Sequence, residues 1–211
     1  MIELQSIFLR YNAHYLFRDL SFVLPAGGNL LIKGDSGAGK TSILRLILGL
    51  TQPERGSVVV DGRILDKDNV WMLRGMMAYV SQDMSLGQGR VEAFIKEVFG
   101  FKRNRTLCYD RSEAEKLLQH FGLGDVTLGS RLEDLSGGEL QRVAIITALM
   151  LKRPIYLLDE ITSALDHRMK KKVAEYFANL KETTLIVASH DSVWHHQDFQ
   201  TLELENNGSS S

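Results

Sequence analysis

The sequence predicts an α/β fold with a mainly parallel sheet, an N-terminal antiparallel β layer and an inserted helical subdomain. Three observations carry this expectation. A glycine-rich loop, Gly34-Asp35-Ser36-Gly37-Ala38-Gly39-Lys40-Thr41-Ser42, joins the apolar run Leu30-Leu31-Ile32 to a strongly apolar run from Ile43 to Leu50. Two further continuous apolar runs, Ile155 to Leu158 and Thr184 to Ala188, are separated by helical patterning, as buried parallel strands are. Glu3 to Arg10 instead mixes alternating and β-branched residues, the pattern of a half-buried strand.

Taken in order, Phe22-Val23-Leu24 continues the N-terminal β layer, and Pro25-Ala26-Gly27-Gly28-Asn29 breaks it before the strand that feeds the glycine-rich loop. After the apolar helix, Pro53 and Gly56 mark a turn. Val58-Val59-Val60, Asp61-Gly62 and Arg63-Ile64-Leu65 then read as a hairpin. Met76 to Ser81 is apolar enough for a buried strand ending at Gln82. Val91 to Phe101 and Ser112 to Phe121 place apolar residues at helical spacing around the basic loop Lys102-Arg103-Asn104-Arg105. Ser136 caps a long helix reaching Leu151, with Gly137 and Gly138 in its first turn. His167 to Leu180 is helical, and Phe199 to Leu204 adds a last strand. One domain is expected, with a core of residues 1–83 and 152–205 and a helical subdomain of 84–151 that includes the helix after Ser136. The polar stretch 206–211 reads as disordered or as a cloning remnant.

Composition narrows the function. At 211 residues the chain can hide about 70% or more of its unfolded surface. A formal net charge of −1 with both signs interspersed offers no basic footprint, so nucleic acid is not an expected partner. The single Cys108 has no partner for a disulfide and no metal-ligand spacing around it, which fits a reducing cytoplasm. No apolar run approaches the roughly 20 residues that span a bilayer, and Met1-Ile2-Glu3 does not begin a signal peptide. Any membrane connection is therefore expected to run through another chain.

The glycine-rich loop carries the first chemistry. Its spacing is that of a phosphate-binding loop, in which glycines let successive N–H groups face phosphate oxygens and the following helix adds its positive end. Lys40 supplies a point charge for β- and γ-phosphates, and the Thr41 hydroxyl suits Mg²⁺. Asp159 closes a buried strand, where a carboxylate is costly unless it is paired or beside a cation. Glu160 follows it, placed to contact a water in line with a γ-phosphate as a general base or orienting acceptor. Gln82, Asp159 and His190 all fall at carboxyl ends of predicted strands, where open α/β sheets bind ligands.

Leu135-Ser136-Gly137-Gly138-Glu139-Leu140-Gln141-Arg142 resembles the signature motif of ATP-binding cassette proteins, and it stands between the phosphate loop and Asp159-Glu160 as in that family. The resemblance covers essentially the whole chain. It implies a P-loop NTPase core, ATP and Mg²⁺ as cofactors, and ATP hydrolysis. It implies that Tyr11 stacks on adenine, although Tyr15 and Phe17 lie nearby, and that Gln82 is the Q-loop glutamine, offering its carbonyl oxygen to Mg²⁺ with Thr41 and Asp159. Ser163-Ala164-Leu165-Asp166 resembles the D-loop and His190 the switch histidine. It further implies that Ser136, Gly137, Gly138 and Asp166 act in trans, closing over the nucleotide of a second cassette in a two-fold pair. Catalysis would then rest on Glu160, His190 and Gln82.

The chain departs from the family pattern at three places. Gly28 stands where many cassettes have Glu, Ile161 replaces a common Pro, and Phe94 occupies the place of a frequent Asn. The expectation is the ATP-hydrolysing subunit of a transporter, pairing with a second copy or another cassette and sitting on the cytoplasmic face of the cell membrane through an integral membrane subunit. Compact bacterial single-cassette subunits are the nearest resemblance, and the Glu160-Ile161-Thr162-Ser163 stretch resembles a small group of proposed metal or metabolite exporters. The rival is a soluble ATPase of the same superfamily acting on DNA or ribosomes, although neither a long coiled-coil insertion nor a second cassette is present. A phosphate-loop kinase leaves the signature stretch without purpose. Lys170-Lys171-Lys172 reads as a solvated helix face, and His195-His196 lacks further ligands for a metal.

Overall fold

The structure is a computed structural model that describes residues 1–11, 14–82, 85–195 and 198–205. The expected junction between 83 and 84, the second histidine of His195-His196 and the tail 206–211 lie outside the described residues. The chain runs β1 (Ile2–Tyr11), β2 (His14–Leu24), β3 (Asn29–Lys33), α1 (Lys40–Ile47), β4 (Arg55–Val60), β5 (Arg63–Ile64), α2 (Val70–Arg74), β6 (Met77–Val80), α3 (Val91–Gly100), α4 (Arg111–His120), α5 (Gly137–Met150), β7 (Ile155–Asp159), α6 (His167–Ala178), β8 (Thr184–Ala188) and β9 (Phe199–Glu203).

Two sheets form. The first has order β2-β1-β4-β5 and is antiparallel throughout, with Ile2 opposite both Leu24 and Val60. Asp61 and Gly62 both take positive φ, 52° and 73°, which gives the turn the twist a two-residue hairpin needs. The second sheet has order β6-β7-β8-β3-β9 and is parallel throughout. Every residue of β7 and of β8 is buried, which explains their unbroken apolar runs. Alternation still sorts the side chains. Leu30, Ile32, Leu157 and Ile186 face a core shared with α1 and the antiparallel layer, whereas Leu31, Leu158 and Val187 face the core of α3 to α6.

Two elements differ from the sequence expectation. The apolar run continues to Leu50, but α1 stops at Ile47, because Gly49 takes φ 64° and the N–H groups of Gly49 and Leu50 close on the carbonyls of Leu46 and Arg45. Leu50 is left exposed. The short helix α2 has no counterpart in the periodicity. It starts from a turn in which the Asp66 carboxylate accepts the N–H groups of Asp68 and Asn69, and Arg74 anchors its end on the carbonyls of Leu48 and Gly49.

Helix α5 starts with a complete capping box between Ser136 and Glu139 and is buried without interruption from Val143 to Met150. It is the spine of the helical core, and β7 follows directly from its end. The signature stretch and Asp159-Glu160 thus stand at the far ends of two largely buried elements, α5 and β7, joined by the partly exposed turn 151–154.

Candidate functional site

The parallel sheet delivers its strand ends to one place. An open cleft of about 790 Å³ is lined by Tyr11 and Leu16 from the antiparallel layer, by Gly34, Asp35, Ser36, Gly37, Gly39, Lys40, Thr41 and Ser42, and by Gln82, Glu160 and His190. Among the predicted loop residues, Ala38 does not line it. Ala38 is buried, and its N–H donates to the carbonyl of Asp35, which tightens the loop. Gly39 has a specific cause. Its φ is 103°, and a Cβ there would lie 2.6 Å from the Phe17 ring, so the antiparallel layer can pack on the loop only if no side chain is present.

Lys40 is buried and its Nζ donates to the carbonyls of Gly34, at 2.8 Å, and Asp35, at 3.2 Å. The same nitrogen lies 3.4 Å from Glu160 Oε1. Glu160 has φ 48°, a conformation that costs a non-glycine residue on the order of 1–3 kcal/mol and persists only when its surroundings enforce it. Here its N–H donates to Ala188 O at 2.8 Å, its carbonyl accepts from Ser163 N–H at 3.1 Å, and Ile161 is fully buried. The kink turns the carboxylate toward Lys40, the Ser189 hydroxyl at 3.4 Å and His190 Nδ1 at 3.1 Å.

Asp159 sits behind the cleft. Its Oδ1 accepts from the Thr41 hydroxyl at 3.1 Å and its Oδ2 from the Tyr79 hydroxyl at 3.2 Å. Burial pushes its carboxyl above the usual range, the two hydroxyls oppose that, and neighbouring Glu160 adds to it. Thr41, Asp159 and Gln82 offer oxygen atoms only, the donor set a hard cation prefers. Among the described residues no group of three or more His, Cys, Asp or Glu is placed to hold a metal ion, so a cation here would have to share its coordination with phosphate and water.

Of the three N-terminal aromatics, Tyr11 lines the cleft and is 47% exposed. Tyr15 packs edge-on against Phe8 and beneath the guanidinium groups of Arg10 and Arg18, while Phe17 is buried against the loop. The structure does not bring Ser136, Gly137, Gly138 or Asp166 into the cleft. Ser136 and Gly137 are exposed at the start of α5, a Cβ on Gly138 would lie 3.0 Å from the Ala164 carbonyl, and Asp166 caps α6 by accepting the Met169 N–H. The start of α5 already holds an anion of its own chain. The Glu139 carboxylate accepts from the Ser136 hydroxyl at 2.6 Å and from the Ser136 N–H at 2.8 Å, and these bonds hold it below the usual carboxylate range.

Sequence reasoning passed over Leu16, Tyr79, Ser189 and a buried polar group beside the cleft. Lys170 is not part of a solvated face. It pairs with Asp191 at 2.8 Å, with side-chain exposures of 20% and 14%. Its helical phase provided a signal, since Lys170 lies three residues before Val173 and four before Ala174, both buried in α6.

The model of the family described as ABC transporter matches residues 17–163. The energy-coupling factor transporter ATP-binding protein EcfA of Enterococcus faecium is 34% identical over 203 residues, covering 90% of this chain and 71% of that protein. ABC transporter BEA3 of Gibberella fujikuroi is 33% identical over 196 residues, but those residues are 90% of this chain and only 15% of that protein. A solved structure of a bacterial Atm1-family ABC exporter with ATP bound superposes with a TM-score of 0.83 at 26% identity, covering 96% of this chain and 38% of that one.

Proposed function

The chain belongs to the ABC transporter family, and from that premise we propose that it is the ATP-hydrolysing subunit of a transporter, working as one of two cassettes on a separate membrane protein. The observation that carries the reading is the convergence of Lys40, Thr41, Gln82, Glu160 and His190 from four parallel strand ends on a single cleft, with Asp159 bonded to Thr41 from behind it. No helix of the described residues is long and apolar enough to cross a membrane; the peripheral position on the inner face of the cell membrane belongs to the proposal and would come through the membrane subunit.

The residues divide the work by chemistry. The loop N–H groups and Lys40 bind the β- and γ-phosphates, and Tyr11 stacks on the adenine. Thr41, Asp159 and the Gln82 carbonyl would hold Mg²⁺, which neutralises the charge that develops on the transferred phosphoryl group. Glu160 is the base that takes the proton of the attacking water. Its strained backbone fixes the carboxylate beside His190, which donates to the γ-phosphate and orients that water. Phosphate binding competes with Glu160 for Lys40, and so frees the carboxylate for its role. Ser136 to Gly138 and Asp166, outside this cleft, serve the nucleotide of the facing cassette.

A docking place for the membrane subunit is supported by a groove of about 840 Å³ between α2, the start of β6, the end of α3 and the turn that joins α5 to β7, where exposed Trp71 and Phe101 stand among Arg74, Lys102, Arg103 and Arg153. Apolar anchors rimmed by four cations suit an acidic amphipathic helix. Purification of the tagged chain from detergent-solubilised membranes tests the reading. A membrane protein should copurify and the complex should hydrolyse MgATP. Recovery with ribosomes or DNA instead, or no hydrolysis by the complex, would contradict it.

A further inference from the structure

A second polar cluster lies immediately behind the cleft, and nothing in the chemistry above uses it. The Thr162 side chain is fully buried, and its hydroxyl donates to Asp191 Oδ2 at 2.5 Å while accepting from the indole N–H of fully buried Trp194 at 3.4 Å. Lys170 Nζ donates to both oxygens of the same carboxylate, at 2.8 and 3.0 Å. The Asp191 N–H donates to the Ser189 hydroxyl, which in turn donates to Glu160 Oε2.

Two chain segments are therefore joined at two levels. On the cleft side Glu160 meets His190; inside the protein, Asp191, the residue after His190, is gripped by Thr162, two residues after Glu160, and by Lys170 of α6. The His190 side chain is itself 68% exposed, and among the described residues its Nδ1 meets only the Glu160 carboxylate. Its position consequently depends on the backbone that precedes and follows it, and the residue that follows is the gripped one. A partly buried carboxylate held by a lysine and a hydroxyl is a rigid anchor, because releasing it would leave a charge without its partners.

We propose that Asp191, clamped by Lys170 and Thr162, is a positioning residue that holds His190 opposite Glu160 for hydrolysis. The proposal rests on the reading of this cleft as an ATPase site. Lys170 belongs to the first turns of α6 and Thr162 opens the Ser163-Ala164-Leu165-Asp166 stretch, so the clamp also ties His190 to the segment assigned to the facing cassette. The phosphate loop stands on β3 and α1, outside the clamp. Loss of the clamp should therefore affect turnover and not nucleotide affinity.

The test compares steady-state MgATP hydrolysis by the full chain and its variants with the imidazole ¹⁵N resonances of His190. Asp191→Asn and Lys170→Met should each lower kcat by about 10- to 100-fold, the cost of a misplaced catalytic group, with KM for MgATP unchanged within about twofold. Lys170→Arg should retain most of the turnover. In a His190→Ala background, adding Asp191→Asn should slow hydrolysis no further, because a residue acting through His190 has nothing left to position. In the nucleotide-free chain, Asp191→Asn should move the His190 Nδ1 resonance toward its position in Glu160→Gln. Multiplicative losses in the double variant, or a His190 resonance unmoved by Asp191→Asn, would overturn the proposal. Absence of hydrolysis by the unmodified chain would strike the ATPase reading first, and the resonance shift would then decide the clamp by itself.

Discussion

Lys40 Nζ lies 3.4 Å from Glu160 Oε1, and each side chain is less than one-tenth exposed. This contact joins the glycine-rich loop to the carboxylate that follows Asp159 across 120 residues of sequence. The cation proposed to bind phosphate is also a partner of the proposed base. Lys40→Ala should abolish tight MgATP binding in calorimetry. It should also destabilise the fold, by about 1–3 kcal/mol, because the buried Glu160 carboxylate then keeps only Ser189 and His190 as partners. Adding Glu160→Gln should recover part of that stability and none of the affinity. An unchanged MgATP affinity in Lys40→Ala would contradict the phosphate-loop assignment.

Adenine contact separates two tyrosines. Tyr11→Ala should weaken ATP binding by about 1–3 kcal/mol, the range for base–aromatic stacking, whereas Tyr15→Ala should leave it nearly unchanged because that ring is engaged by Phe8, Arg10 and Arg18. The opposite ranking in the same titration would move the adenine contact to Tyr15.

The Glu139 carboxylate occupies the helix start that the proposed pairing assigns to the facing nucleotide. Its hydrogen bonds to Ser136 hold the charged group at this helix start, where it would repel an approaching γ-phosphate. Glu139→Gln retains a capping box without the charge. In a Glu160→Gln background, this change should lower the ATP concentration needed to pair two chains, as followed by light scattering. An unaltered or higher requirement would show that Glu139 moves aside at no cost.

Acid sensitivity follows from the clamp on Asp191. Burial alone would raise its carboxyl, but the bonds from Lys170 and Thr162 outweigh it and the net position lies below the ordinary 3.8. A depressed folded-state value means that the contribution is complete above the unfolded value and disappears as pH falls through the folded one. The difference in urea midpoint between the unmodified chain and Asp191→Asn should therefore hold from pH 7 to about pH 5 and shrink below about pH 4. A difference independent of pH down to pH 3 would show that the ion pair adds nothing.

Local features of the sequence were legible. The loop from Gly34 to Ser42, the hairpin at Asp61-Gly62 and the buried strands β7 and β8 are each written in a short run of residues whose backbone or burial needs admit few alternatives. What the sequence concealed depends on residues far apart in the chain. Helix α2 is five residues long and is held by Arg74 reaching back to Leu48 and Gly49, so its periodicity is too short to read. Tyr79 reaches Asp159 only because β6 and β7 pair with Tyr79 beside Leu157. Lys170 stands in a run of three lysines that reads as solvent-facing, and its partner Asp191 is 21 residues away. The capping box was readable as Ser136 with Glu139 three residues later, yet its consequence for anion access emerged only from the geometry.

The central claim is that Glu160 of one chain and Ser136 of another serve the same γ-phosphate. Glu160→Gln keeps the shape of the site and removes its base, so ATP should bind, bring two chains together and persist. Ser136→Arg added to that variant should block the pair while leaving ATP bound to the single chain. The decisive measurement is the mass by light scattering after gel filtration of Glu160→Gln, with ATP and with ADP. A dimer with ATP, a monomer with ADP, and a monomer in both nucleotides once Ser136→Arg is added are the results predicted here. A Glu160→Gln chain that stays monomeric at high protein and ATP concentrations would contradict self-pairing and point to a different cassette as the partner.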